Sequence, residues 1–335
     1  MEHQVFVHRR MFPSHDPRIL LDEEVDNPFK AVPLLDEMRK AGGVETYDGG
    51  QKLDVPLILS EHSSITQLSN GYEPVNLAVK DALRNATFNW CDFVAPVVIT
   101  AKEELSNKGP RAIVSIAEAR MKSVMGLLQR EVEKQLVAGS SSVLSDLNTL
   151  RASTTARGNG GFLAGAAYGT QTGTVGGIDT QVFSTFQNQY KRSGTLSIED
   201  MTDLYIQCQA YTPGGGAPNV IISSAENYRE YKKELFDKER FMSSESQLDG
   251  GRLALAFHGA RMYYDPFLDN ITDGTNDIRA YFLNTDYLKL AFDSDAQFEM
   301  SDFEHISGYA SRSANIITRM QMYVQHLGAQ GLLTK

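Results

Sequence analysis

The sequence predicts a mixed α+β protein whose helices and antiparallel strands are segregated along the chain rather than alternating. Three observations carry this. A single helical stripe runs from Arg111 to Ala138, two strand-like segments lie directly before it, and a succession of short strand-like segments fills the chain from Leu253 onward.

Residues 1–50 are rich in Pro and charge, with Pro13, Pro17, Pro28 and Pro33 breaking any long element, and only a short helix at Leu34–Arg39 is expected. They have too few apolar residues to close a core alone and read as an arm lying over neighbours. Lys52–Ser69 carries Leu53, Val55, Leu57, Ile58, Leu59, Ile65 and Leu68. Ala86–Thr100 carries Phe88, Trp90, Phe93, Val94, Val97, Val98 and Ile99. With the turn dipeptide Asn70-Gly71 between them, they read as a projecting two-stranded ribbon. Such a ribbon is marginal alone in water and is expected to be held by something else, such as another subunit.

Pro110 supplies a preset first-turn dihedral for the helix and Gly139 a left-handed C-terminal cap. Between them Ile113, Ala117, Met121, Val124, Leu128, Val132 and Leu136 recur at three- and four-residue steps. At ~1.5 Å per residue this helix runs roughly 40 Å. Residues 140–177 are crowded with Ser, Thr and Gly and read as loop and irregular strand. Ser197 and Asp200 then cap a helix over Ile198–Ala210, which Pro213-Gly214-Gly215-Gly216 stops. A strand at Asn219–Ile222 passes through Ser223 or Ser224 into a helix carrying Tyr228, Tyr231 and Leu235. Strands are expected at Leu253–Phe257, Arg261–Tyr264, Ile278–Leu283, Tyr287–Phe292 and Asn315–His326.

With 335 residues and 41% hydrophobic content, the chain can bury a sizeable core. No window approaches the ~20 continuous apolar residues that span a bilayer, and Met1–Phe12 lacks the apolar centre of a signal peptide, so a membrane role is not expected and the default compartment is cytosolic. The net charge of -10 argues against a surface built to grip nucleic acid. The best basic cluster, Arg229, Lys232, Lys233, Lys238 and Arg240, is interleaved with Glu226, Glu230, Glu234, Asp237 and Glu239 and reads as a self-paired helix face. Cys91 and Cys208 stand far apart in unlike contexts and read as buried small apolar residues.

Motifs for chemistry are missing. The Gly-rich stretch 158–177 contains no phosphate-loop pattern, and Asp269, Asp273, Gly274 and Asp277 fail as a calcium loop because Ile271 and Ala280 stand where oxygen ligands belong. His3, His8, His15, His62, His258, His305 and His326 are scattered, with no zinc spacing and no nucleophile elbow. No catalytic, cofactor or metal residues are assigned. The rival from another class is a cytosolic hydrolase with a site in the 250–310 region, assembled from positions distant in sequence.

The order of these parts resembles the major capsid proteins of tailed bacteriophages, the family sharing the HK97 fold. The text that carries the resemblance is Trp90–Thr100 (WCDFVAPVVIT), Glu103-Glu104 and Asn107-Lys108-Gly109 before the helix, the passage DLYIQCQAYTPGGGAPNVIISSAENY at 203–228, and the closing ANIITRMQMYVQHLGAQGLL at 314–333. The resemblance implies an HK97-like fold with an N-terminal arm at 1–50, an extended loop at 51–100, and a peripheral domain at 101–212 with its spine helix at 111–138. It further implies an axial domain at 213–297, a return to the peripheral domain at 298–326 and a last axial strand at 327–335. The implied function is a non-enzymatic shell protein that assembles with itself as hexamers and pentamers of an icosahedral head, in the host bacterial cytoplasm and then the virion. It would enclose double-stranded DNA without specific binding. A separate scaffolding protein, a portal and a decoration protein are the implied partners, and an encapsulin-like nanocompartment is the near alternative. Leu57, Ile58, Leu59, Phe88, Trp90, Phe93 and Val97, on the ribbon, are the expected contacts between copies. Lys80 and Asn315 are of the residue types that cross-link in some members, but no local motif identifies them, and that chemistry is not carried over.

Overall fold

The computed structural model describes residues 33–60, 82–106, 110–139, 144–147, 161–194, 197–238, 245–247, 253–270 and 278–335. The expected Asn70-Gly71 turn, Lys80, the four N-terminal histidines and the second half of the Asp269–Asp277 loop lie outside them.

Helix α1 (Pro33–Lys40) leads into β1 (Val44–Tyr47), and β2 (Lys52–Ile58) pairs antiparallel with β3 (Leu83–Asn89). Past Trp90 the chain continues as β4 (Cys91–Thr100), α2 (Ala101–Ser106) and the 29-residue α3 (Pro110–Ala138). The hairpin β5 (Thr174–Val175) and β6 (Ile178–Asp179) precedes β7 (Gln189–Arg192), α4 (Ile198–Ala210), β8 (Val220–Ser223) and α5 (Ala225–Lys238). Strands β9 (Glu245–Gln247), β10 (Leu253–Phe257), β11 (Ala260–Tyr264), β12 (Ile278–Leu283) and β13 (Leu288–Asp293) follow. The last are β14 (Glu299–Met300), β15 (Glu304–His305), β16 (Ser311–Val324) and β17 (Gly331–Thr334).

Two sheets organise these elements. The six-stranded sheet is built on β16, which pairs antiparallel with β4 along one edge and with β13, β14 and β15 along the other; β1 adds to β13 in parallel. The seven-stranded sheet runs β7-β17-β12-β8-β11-β10-β9. Its one face sets Ile221, Phe282 and Leu333 against Met201, Leu204 and Cys208 of α4 and Tyr231 of α5. Its other face sets Val220, Ile222, Tyr281 and Leu332 in the core that also holds Leu136 and Val137 of α3. Covered on both sides, β8 reads as an unbroken apolar run, not an alternation. After the long connection from β4 to β7, the chain passes between the sheets by two short crossings, at residues 284–287 and 325–330, and these two are laced together: Gln330 Oε1 accepts from the Asn284 N–H at 2.8 Å while its Nε2 donates to the Asn284 carbonyl at 3.0 Å.

Apart from the short α2, which was not expected, the helices form where the sequence predicts and for the same reasons. Met121, Leu128, Val132 and Leu136 bury one stripe of α3, and Gly139 ends it at φ +36 with its N–H on the Gln135 carbonyl. Ser197 Oγ accepts from the Asp200 N–H at 3.1 Å to cap α4, and Ser224 Oγ accepts from the Asn227 N–H at 3.4 Å at the start of α5.

Three expectations are corrected. The second ribbon strand is not 86–100: β3 ends at Asn89, and β4 instead runs alongside β16 from Cys91 opposite Met320 to Thr100 opposite Ser311. The described part of the arm does not reach away from its own chain. Leu34, Leu35 and Met38 are buried in the main core, the Leu34 N–H donates to Glu133 of α3 at 3.1 Å, and Arg261 of β11 grips Glu37 at 2.9 Å. Within the chain, α4 and β7 pack with the seven-stranded sheet, and β13 pairs with β16 in the six-stranded one. Two acids of α5 pair off their own helix, Glu230 with the buried Arg279 at 2.9 Å and Glu226 with Lys335 at 3.8 Å.

Candidate assembly surfaces

The base of the ribbon is held by its own chain. Val55, Leu57, Ala86 and Phe88 bury one face, the Thr87 N–H donates to the Gly176 carbonyl at 2.9 Å, and the Thr185 hydroxyl donates to the Leu59 carbonyl at 2.6 Å. Phe88 meets Phe162 edge to face with centroids 5.9 Å apart. Gly176, at φ +57, is where the hairpin touches the ribbon: a Cβ there would lie 2.9 Å from Phe88 Cζ and 3.0 Å from Ala86 Cβ. The Gly-rich segment therefore works as a clamp on the ribbon, for which closeness of approach and not flexibility requires glycine.

Most of the seven residues expected to contact other copies lie inward in the protomer. Leu57, Leu59, Phe88, Trp90 and Val97 are buried in the protomer's own core, and Phe93 is half-buried against it. Trp90 sits at the corner between ribbon and sheet, with the Arg319 guanidinium 5.5 Å above its ring. Ile58 alone is outward, 78% exposed and opposite Leu83, which is 64% exposed.

A second apolar set was missed in the sequence. On the outer face of the six-stranded sheet Val94, 58% exposed, stands directly opposite Ile317, 39% exposed, with Val98 four residues along, past Pro96. Asp92 and Arg319 close one end of this row with an ion pair at 3.3 Å, and Arg319 reaches Asp293 at 3.4 Å. The signal was the period-two alternation within CDFVAPVVIT, which puts Val94, Pro96 and Val98 on one face and Phe93, Ala95 and Val97 on the other.

The far end of β4 is fixed by Glu103, three residues past Thr100 in the first turn of α2. Glu103 Oε2 accepts from the Thr100 hydroxyl at 2.7 Å and from the Thr100 N–H at 3.1 Å. The guanidinium of Arg120 on α3 bonds both Glu103 Oε1 and the Val98 carbonyl. The Thr100 hydroxyl and N–H, and then Arg120, hold the Glu103 carboxyl down at about 2. At the other edge of this sheet Tyr323 and Tyr47 donate to Glu45 Oε2 at 2.6 and 2.5 Å and keep that carboxyl below its usual range.

The remaining chemical candidates serve structure. Burial pushes the Cys91 thiol up to about 11 and the Cys208 thiol higher, so neither forms a thiolate near neutrality. Asp269 accepts from the Ala225 N–H and the Tyr264 hydroxyl, each at 2.7 Å. His258 occupies the β10–β11 turn at φ +46, His305 is exposed, and His326 is mostly buried at the second crossing. Among the described residues no three His, Cys, Asp or Glu side chains are grouped to hold a metal, and no helix is long and apolar enough to cross a membrane.

No protein-family model matches the sequence, and no curated protein matches it. Solved structures match along nearly its whole length. The capsid of an empty GTA particle, computed with C5 symmetry, superposes at TM-score 0.59 and 12% identity over 100% of this chain and 95% of that one. The capsid asymmetric unit of cyanophage A-1(L) gives 0.56 at 14% identity over 90% and 92%. The SrpI encapsulin of Synechococcus elongatus PCC 7942, in its holo complex, gives 0.54 at 12% over 97% and 90%. A correspondence spanning both sheets, the ribbon base and the long helix identifies the architecture: the chain has the HK97-like capsid fold.

Proposed function

We propose that this chain is a non-enzymatic shell protein of the phage type, assembling with its own copies as hexamers and pentamers into a closed icosahedral container for double-stranded DNA. The observation that carries the reading is the end-to-end correspondence with the GTA capsid. The exposed pairs Ile58–Leu83 and Val94–Ile317 agree with it, because a solitary protomer keeps both in water whereas neighbouring copies would cover them. Many modest contacts engaged together make a cooperative shell. The net charge of -10 suits a wall that encloses a polyanion and must release it. Assembly in the host cytoplasm, with a separate scaffolding protein, a portal and a decoration protein as partners, completes the phage reading.

The equal TM-score of 0.54 to the encapsulin and to the capsid of the native GTA particle favours a second reading, a nanocompartment that holds protein cargo. Expression of the chain followed by sedimentation and negative-stain microscopy tests both: closed shells or tubes are expected, and a persistent monomer would overturn them. Shells that bind DNA tightly and in a salt-sensitive way would contradict the acidic, non-gripping wall.

A further inference from the structure

β4 lies at the margin of the six-stranded sheet, bonded on one side to β16 and, among the described residues, to no strand on the other. The Ala101 N–H donates to the Ala310 carbonyl at 2.8 Å, which fixes the parity: odd-numbered residues of the strand turn their backbone groups toward β16, and even-numbered ones turn theirs outward. An open edge of ten residues is a template for another extended chain. The most available one is the same edge of a second copy. Laid antiparallel, two such edges offer each other the same outward N–H and C=O groups, and Val94 would meet apolar neighbours across the seam.

Half of this edge is already blocked from within. Pro96 has no N–H, the Thr100 N–H is taken by Glu103, and the Val98 carbonyl is taken by Arg120, which Glu103 holds in place. These three devices fall at alternate residues, all on the outward parity, so they act on one edge and leave the β16 ladder intact. We propose that the Glu103–Arg120 pair guards the free edge of β4 against strand addition by a second copy of this chain, confining association to other surfaces.

The test uses the full chain. Arg120→Ala should shift material from the normal association state into fibrous or sheet-like aggregate, with a several-fold rise in thioflavin fluorescence and light scattering. Adding Val94→Pro, which removes an outward N–H without touching the β16 ladder, should suppress that aggregate. Should Arg120→Ala fail to fold, Arg120→Gln, which keeps most of the stem and loses the fork, is read in the same way. Unchanged association of the Arg120 variant overturns the proposal. So does aggregate that persists in the Val94→Pro double variant, since the pair would then be only a tether between β4 and α3. The result is independent of the shell reading: a monomeric wild type would remove that reading while the single and double variants still decide the edge.

Discussion

Gly331 is flanked so closely that a Cβ would lie 2.7 Å from Cys208 Sγ and 3.2 Å from two Leu204 carbons. Gly331→Ala should cost about 1–3 kcal/mol in urea denaturation, since β17 and α4 must move apart. Trp90→Ala is expected to cost about 3–5 kcal/mol of protomer stability, because the ring is buried between ribbon and sheet. A variant that folded with wild-type stability and failed only in assembly would return Trp90 to the surface set. His326 adds a pH dependence. Burial lowers its pKa from the ordinary 6.5, so the unfolded chain takes up the proton first. The neutral ring's contribution is therefore whole above 6.5 and declines as pH falls from there toward the depressed folded value. Urea midpoints measured across that range should fall more for the wild type than for His326→Asn. The two cysteines were legible as buried residues from context alone, whereas the burial of Phe88 and Trp90 was not. Nothing local to Phe88 reveals that Phe162 and Gly176, both far along the chain, are waiting to pack against it, or that Arg319 will lie over the Trp90 ring.

Helices were the most legible elements because their determinants are local: a stripe, a cap and a stop lie within the segment itself. Ser197→Ala should accordingly cost about 1 kcal/mol, measured by denaturation, through loss of the bond to the Asp200 N–H. Strands were found but misassigned. The apolar text from Phe88 to Ile99 has no proline or glycine break at Trp90, so one long strand was the natural reading. What divides it is partnership: β3 takes β2, a hairpin neighbour, while β4 takes β16, more than two hundred residues away. Alternation within a segment marks its faces, but pairing at that separation leaves no mark in it of which partner it takes.

For the molecule as a whole, the surface that distinguishes a tile from a free globule is the outward apolar set. Ile58→Lys together with Val94→Lys should leave the circular dichroism and urea midpoint of the protomer nearly unchanged while abolishing particles in negative stain. Loss of folding in this variant would mean that the two side chains are not the free surface described. The architecture as a whole was legible through the order of its parts, and its division between the sheets was not, since the chain crosses from one sheet to the other and back.

Those two crossings, stitched by Asn284 and Gln330 side by side, give the protomer something like a hinge fitted with a second pin. A single strand joining two plates would let them swivel; a pair locked together transmits tension and resists rotation. Outward pressure on a wall tiled from such pieces would then be carried through each tile as through one stiff plate, and the bending would fall to the seams.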